Sequence, residues 1–333
     1  MARTPGETGS TEVHTARRRL RWLPFDPAHL LLMPLAIAFV MPLIQMVFAA
    51  LKTDAEIRQF PPTFYPKHPT FAGFIALFKE SNVLHWILNT MIVSSVAILS
   101  HMVLCLLAGY GFARLKFAGR NMGFFAVFAT IMIPTQLLMI PTYIMFSKLH
   151  LADTMAAMIL PWLTSAFGVF LMRQFFLSLP AELEEAALLD GCERFGVFWR
   201  VILPLAKPAL ATLAIFTLLG SWNDLIWPLI AINNEDLYTI QLGLANFQGQ
   251  HRTQWQLLMA GNVVATLPLI VFFLIAQKQF VAAMTFSGLK GRGEPVAPAR
   301  AVGVKGGEPG ASARQFVRLL ADVVRALCCR EGL

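Results

Sequence analysis

Residues 178–204 read SLPAELEEAALLDGCERFGVFWRVILP, and their chemistry divides into two parts. The first, Ser178 to Gly191, carries the punctuation of a short helix. Pro180 suits a first turn, Glu182, Glu184 and Glu185 set negative charge at the positive end of the helix dipole, and Gly191 supplies a left-handed stop. The second part places Phe195, Phe198, Trp199 and Ile202 at i, i+3, i+4 and i+7, one apolar stripe, with Arg194 and Arg200 off it and Pro204 ending or kinking the helix. The pattern predicts a helix-turn-helix whose second member lies along a membrane surface with its aromatics packed inward.

The surroundings of this loop are apolar. The chain has 333 residues, 56% hydrophobic and 14% charged, whereas a soluble globule carries roughly a quarter charged residues. A span needs about 20 apolar residues to cross roughly 30 Å of hydrocarbon. Six stretches qualify: Leu30 to Leu51, Trp86 to Phe112, Asn121 to Ser147, Met155 to Met172, Ala209 to Ile232 and Leu257 to Ala276. Lipid leaves backbone groups no external partner, so such runs are helices, and the lack of period-two alternation argues against a barrel. The expected fold is an all-α integral membrane protein with six transmembrane helices.

Orientation follows the basic residues. Arg17, Arg18, Arg19 and Arg21, then Arg114, Lys116 and Arg120, then Arg173, Arg194, Arg200 and Lys207, fall on one side together with the basic C-terminal tail. Lys52, Arg58, Lys67, Lys79, Lys148 and Arg252 fall on the other. Both termini are therefore expected to be cytoplasmic. The run after Arg21 is longer than the 7–15 residues of a signal-peptide apolar core, so it is read as an anchor. The expected organisation is a basic N-terminal tail at 1–29, a membrane domain at 30–290 containing the loop at 178–208, and a C-terminal tail at 291–333.

Several function classes recede. The net charge of +8 comes without a basic stripe interleaved with aromatics, so nucleic acid is not an expected partner. Cys105, Cys192, Cys328 and Cys329 lack metal-ligand spacing, and His101 with Cys105 reads as a packed polar pair. No metalloprotease or nucleophile-elbow motif occurs, so no catalytic residue, metal or cofactor is assigned. A stand-alone secondary transporter is the alternative, but it would ordinarily bury ionisable groups near the bilayer midplane. Asp224, the one carboxylate within an apolar run, falls near the outer face. The chain also lacks a Gly-x4-Gly-Lys-Ser/Thr phosphate loop, so ATP is expected to bind a partner.

Glu185-Ala186-Ala187, three residues, Gly191, nine residues, then Val201-Ile202-Leu203-Pro204 resembles the EAA loop of binding-protein-dependent ABC importer permeases, with Val201 where the family usually has Ile. Asn89-Thr90, Gly109 to Arg114, Met132-Ile133-Pro134, Ser147-Lys148-Leu149, Arg173 to Phe176, Trp222-Asn223-Asp224 and Leu258 to Gly261 are similar to the carbohydrate branch, of the maltose and glycerol-3-phosphate type. The resemblance implies the type I permease fold and a bacterial inner-membrane location. It also implies a second permease subunit, an ATPase dimer and an extracytoplasmic solute-binding protein. It assigns ATPase coupling to Glu185, Ala186, Ala187, Asp190, Gly191, Phe195, Leu203 and Pro204, with Ala186 and Ala187 on the surface as small contacts for the ATPase cleft.

Two further regions are candidates. Asn223 and Asp224 could line the path, but the position of Asp224 near a helix end favours capping or partner contact. The outer loop from Asn233 to Gln256 is rich in amides and aromatics, and Tyr238, Asn246, Phe247 and Gln248 are candidates for docking the solute-binding protein. The first outer loop, Lys52 to His85, is expected to be a connector with little regular structure. Phe316, Leu319, Leu320, Val323 and Leu327 predict a basic amphipathic helix in the C-terminal tail.

Overall fold

The computed structural model describes residues 28–249 and 253–288. Among them regular structure is helical, apart from one isolated antiparallel bridge between Gln248 and Thr253. The chain runs through α1 (Ala28–Ala50), α2 (Asp54–Ile57), α3 (Ala72–Glu80), α4 (Val83–Arg114), α5 (Arg120–Thr130) and α6 (Thr135–Lys148). Then come α7 (Met155–Ile159), a 3-10 turn at Leu160–Trp162 and α8 (Ala166–Ser178). The loop holds α9 (Glu182–Leu189), α10 (Arg194–Val197), a π-helical turn at Phe198–Ile202 and α11 (Leu203–Leu205). α12 (Lys207–Trp222), α13 (Ile226–Ala231), α14 (Ile240–Asn246) and α15 (Trp255–Gly288) follow. The N-terminal tail up to α1, Gln250, Arg252, the C-terminal tail and its amphipathic stretch lie outside the described residues.

Four helical runs are long and apolar enough to cross a membrane: Leu32–Ala50, Val83–Arg114, Met155–Ser178 and Trp255–Ile275. Two bent pairs bring the candidate spans to six. The expected single helix from Asn121 to Ser147 is instead α5 and α6 meeting at 96°. Pro134 has no amide proton to donate and disfavours helical geometry in the residue before it, so the ladder stops at Thr130 and restarts after the proline. The fifth stretch also departs from a continuous helix. α12 ends at Trp222, and α13 begins again only at Ile226.

The centre of the bundle is α4, which packs against both α8 and α12. Backbones approach closely at Gly109, where a Cβ would fall 2.5 Å from the Cβ of Met172 on α8. A polar seam joins α4 to α12. His101 Nδ1 lies 2.7 Å from Thr217 Oγ1, and the Ser221 hydroxyl donates to Ser94 Oγ at 2.9 Å. His101 therefore pairs with Thr217, while the Cys105 thiol meets Ser165 O and Thr164 Oγ1 at 3.7 Å. α1 packs on α15 and leaves its other faces open, with Leu30, Ile37 and Phe39 exposed. Apolar bulk exposed along helices of span length suits contact with lipid or another subunit.

The first outer loop is more ordered than expected. Ala72–Glu80 forms a nine-residue helix because its Ala, Phe, Ile and Leu run has no proline after Pro69. It packs on α15 through Gly73 and Leu77, both buried. Glu56 gathers the preceding segment by accepting from the Lys67 amide at 2.8 Å and the Thr63 hydroxyl at 3.2 Å. The Lys67 amide holds the Glu56 carboxyl below its ordinary value, against an opposing effect of desolvation. This fastening is complete above the ordinary carboxylate range and is lost as pH falls through the depressed pKa.

Two glycines two residues apart on α4 give opposite expectations. Gly109→Ala should destabilise the chain by about 1–3 kcal/mol through overpacking against Met172. Gly111→Ala, with nothing within 4 Å of its Cβ, should be neutral or stabilising by up to about 1 kcal/mol. Thermal unfolding in detergent measures both, and equal melting shifts would contradict the close crossing of α4 and α8.

Candidate functional site

α9 is stopped by a complete left-handed cap. The Cys192 amide donates to Ala187 O at 3.0 Å and the Gly191 amide to Leu188 O at 3.1 Å, the paired bonds of a Schellman motif. Gly191 has φ +87° with no atom within 4 Å of a Cβ position, so the backbone conformation, not space, requires glycine. The three glutamates of the first turn stand as the sequence predicts. Asp190 is the residue at which the helix closes.

Arg114, at the end of α4, holds the loop from behind. Its Nη2 donates to Phe176 O at 2.9 Å and Leu179 O at 2.7 Å, closing carbonyls at the end of α8. Its Nε lies 3.0 Å from Glu184 Oε1 on α9 in an ion pair, with both side chains largely shielded. The Tyr110 side chain, one turn earlier on α4, also faces Glu184, and its ring packs edge-on to Phe176 at 5.5 Å and against Phe198 at 4.8 Å. Nearby, Arg173 Nε donates to Phe112 O at 3.3 Å, and its guanidinium lies 3.9 Å over the Phe124 ring.

Two expectations for the loop change. Ala187 is fully buried in the core formed with Met172, Phe176, Val197 and Ile202, so it is unavailable to a partner; of the alanine pair only Ala186 is exposed. The predicted stripe also splits. Phe198 and Ile202 are buried, but Phe195 is 72% and Trp199 50% exposed, packed edge to face on each other. The π-helical turn widens the repeat, so the buried face passes through Val197, Ile202 and Ala206 rather than through every aromatic. Pro204 does not end the helix. It sits in the first turn of α11, where its missing amide costs little, and the chain bends at Ala206. Leu203 is half-buried and Pro204 exposed.

The outward edge of the loop therefore carries Glu185, Ala186, Leu189, Phe195 and Trp199. Leu189 is 89% exposed and was not among the sequence-based candidates. It lies in the same acidic helix as Glu185, where apolar character does not announce a contact.

Asn223 and Asp224 occupy the break between α12 and α13. Asp224 Oδ2 accepts from Trp162 Nε1 at 3.3 Å, and Oδ1 accepts from the Trp227 amide at 3.4 Å, so the carboxylate closes the start of α13. Asn223 donates to Leu219 O at 2.8 Å and accepts from Gln241 at 3.4 Å.

The outer loop is a folded piece rather than a polar connector. Ile240, Leu242 and Leu244 of α14 are buried, and Gly243 lies so close to Trp86 that a Cβ would fall 2.2 Å from its ring. α4 fastens this piece from below. Asn89 Nδ2 donates to Asp236 O at 2.9 Å and Tyr238 O at 3.0 Å, and Thr90 Oγ1 accepts from the Ile240 amide at 2.8 Å. Asp153, whose φ of 57° a short polar side chain tolerates, accepts from the Asn233 and Asn234 amides at 2.8 and 2.9 Å. Of the docking candidates, Tyr238 and Phe247 pack partly buried against the chain's own core, Phe247 on Trp86 at 5.9 Å. Asn246 and Gln248 are exposed.

Residues 101–286 match the family described as "Binding-protein-dependent transport system inner membrane component". The chain is 35% identical over 260 residues to the arabinooligosaccharides transport system permease protein AraQ of Halalkalibacterium halodurans, covering 77% of this chain and 93% of that one. It is 30% identical over 268 residues to the sn-glycerol-3-phosphate transport system permease protein UgpE of Yersinia pestis, covering 78% and 92%. A bacterial ABC transporter that imports the acidic polysaccharide alginate has a chain of the same fold, with a TM-score of 0.66 at 23% identity over 76% of this chain and 95% of that one.

Replacing Gly191 with Val forces a branched side chain into left-handed geometry and should cost about 1–2 kcal/mol. Limited proteolysis should then cut faster between Leu189 and Glu193, and an unchanged cleavage rate would contradict the cap.

Proposed function

Because this chain belongs to the family of binding-protein-dependent transport system inner membrane components, a multi-pass membrane family, we propose that it is one permease subunit of an ATP-driven importer, paired with a second permease. The observation that carries the mechanism is the 178–208 loop. It is fastened to two spans from behind by Arg114, while Glu185, Ala186, Leu189, Phe195 and Trp199 face away from the chain's own core. A rigid projection with an apolar edge and acidic flank suits the cleft of an ATPase subunit. The chain itself has no phosphate loop, so hydrolysis belongs to that partner dimer.

Closure of the ATPase dimer moves the loop as a body and tilts the attached helices, shifting the population between inward-open and outward-open states. Both termini and this loop are cytoplasmic, as the basic residues indicate. The membrane domain spans 30–290, flanked by tails at 1–29 and 291–333. Ala186, Gly191 and Leu203–Pro204 shape the loop, Asp190 closes α9, and Ala187 fills its underside.

The cargo is a sugar or a related solute. Relatives carry names for arabinooligosaccharide, glycerol-3-phosphate and, in Agrobacterium fabrum, sulfoquinovosyl glycerol transport. An alginate transporter of similar fold is solved with a periplasmic protein bound to alginate pentasaccharide. The exposed amides Asn246 and Gln248 are the contacts for a solute-binding protein, with Tyr238 and Phe247 holding the loop beneath them.

Co-purification tests the coupling. The wild-type chain should bring down an ATPase, Gly191→Pro should abolish this, and Leu189→Glu should weaken it by about thirtyfold, the loss of an interface anchor of roughly 2 kcal/mol. Retained association in both variants would refute the assignment of this loop. For the outer loop, Asn246→Ala with Gln248→Ala should lower ATPase stimulation by the solute-binding protein while assembly persists, and full stimulation would sink the docking role.

A further inference from the structure

α4 differs from the other candidate spans among the described residues. Proline lies inside α1 at Pro34 and Pro42, inside α6 at Pro141 and inside α15 at Pro268. The α5–α6 pair and the run from Arg194 into α12 are bent by 96° and 69°, and the Met155–Ser178 run is interrupted after its 3-10 turn. α4 has 32 residues, no proline and no break. At a rise of about 1.5 Å per residue it is about 48 Å long, enough to pass through hydrocarbon and reach beyond it.

Each end of α4 holds one of the two loops on which the proposed function rests. Near its start, Asn89 and Thr90 bind Asp236 O, Tyr238 O and the Ile240 amide, and His85 Nε2 adds a contact to Asp236 O at 2.8 Å. At its end, Arg114 binds Phe176 O, Leu179 O and the Glu184 carboxylate. The contacts to backbone are hydrogen bonds of directed geometry, and the one to Glu184 is a shielded ion pair at 3.0 Å, so together they resist sliding better than apolar contacts do.

We propose that α4 is a rigid strut between the outer and the coupling loop, and that Asn89 and Arg114 are positioning residues that engage its two ends. Arrival of the solute-binding protein on the outer loop shifts α4 along or about its axis. Arg114 then carries that shift into α9 directly, without routing it through the broken spans. The same linkage runs in reverse when the ATPase closes, since coupling between two sites is reciprocal. Neither residue touches a partner. Each acts through the loop it holds.

The test is a double-mutant cycle in the assembled importer in proteoliposomes, with Asn89→Ala, Arg114→Gln and the pair. The readouts are ATPase co-purification, melting temperature, and the stimulation of ATPase activity by liganded solute-binding protein. Each single variant should keep its ATPase and reduce stimulation by about three- to tenfold. The residues are about 38 Å apart along the helix, where substitutions ordinarily combine independently. In series along one strut they should not: the double variant should be no worse than the weaker single variant. Multiplied defects, or singles with full stimulation, would overturn the strut. If a variant fails to assemble, Thr90→Val, which removes the acceptor of the Ile240 amide, replaces it at the outer end, and Glu184→Gln, which removes the charge facing Arg114, replaces it at the inner end. If the wild-type chain brings down no ATPase, the coupling reading itself fails, a result separate from the outcome of the cycle.

Discussion

Hydrocarbon offers a backbone amide or carbonyl no partner, and each group left bare there costs several kcal/mol. A bundle built from broken helices must therefore close every break from within. The Asp224 carboxylate meets the Trp227 amide where α13 restarts, Ser165 Oγ accepts from the Gly168 amide at 2.9 Å where α8 restarts, and Thr154 Oγ1 accepts from the Ala157 amide at 3.3 Å at the head of α7. Arg114 does the same for carbonyls at the end of α8. At each of these four places a polar side chain sits where the helical ladder stops.

That constraint explains what could be read from the sequence. Gly191 was legible because a left-handed residue after an acidic helix has few alternatives, and the apolar stretches were legible because lipid demands length. The 96° angle between α5 and α6 was not, since Pro134 signals an interruption without fixing its direction. Ala187 was misplaced on the surface because small size suits both a partner's cleft and a tight interior, and only the packing of Phe176 and Ile202 decides between them. The split of the aromatic stripe depended on a π-helical turn, which no spacing rule for 3.6 residues per turn anticipates. The buried helix α14 was hidden among amides, because Gln241 and Asn246 interrupt the short apolar run of Ile240, Leu242 and Leu244.

Small residues and hydroxyls share the task of joining the central helices. Gly109 brings α4 against α8, and Gly168 lies so near Cys105 that a Cβ would come within 2.8 Å of its sulfur. Across the other side, the Ser94–Ser221 and His101–Thr217 pairs tie α4 to α12. Between apolar helices in lipid there is little hydrophobic drive to associate, so close contact and interhelical hydrogen bonds supply it.

The pairing of α1 with α15 sets an order on biosynthesis. About 200 residues separate the end of α1 from the start of α15, so at roughly 5–20 residues per second the first helix is made some 10–40 s before its packing partner exists. During that interval α1 must persist in the bilayer without α15. Its 23 residues contain no Asp, Glu, Lys or Arg, and the stretch from Leu32 through Ile44 is exposed, with burial confined to the end that meets α15. Those open faces meet lipid before α15 is made, so a charge placed on them would harm insertion before it harmed the packing of α1 on α15.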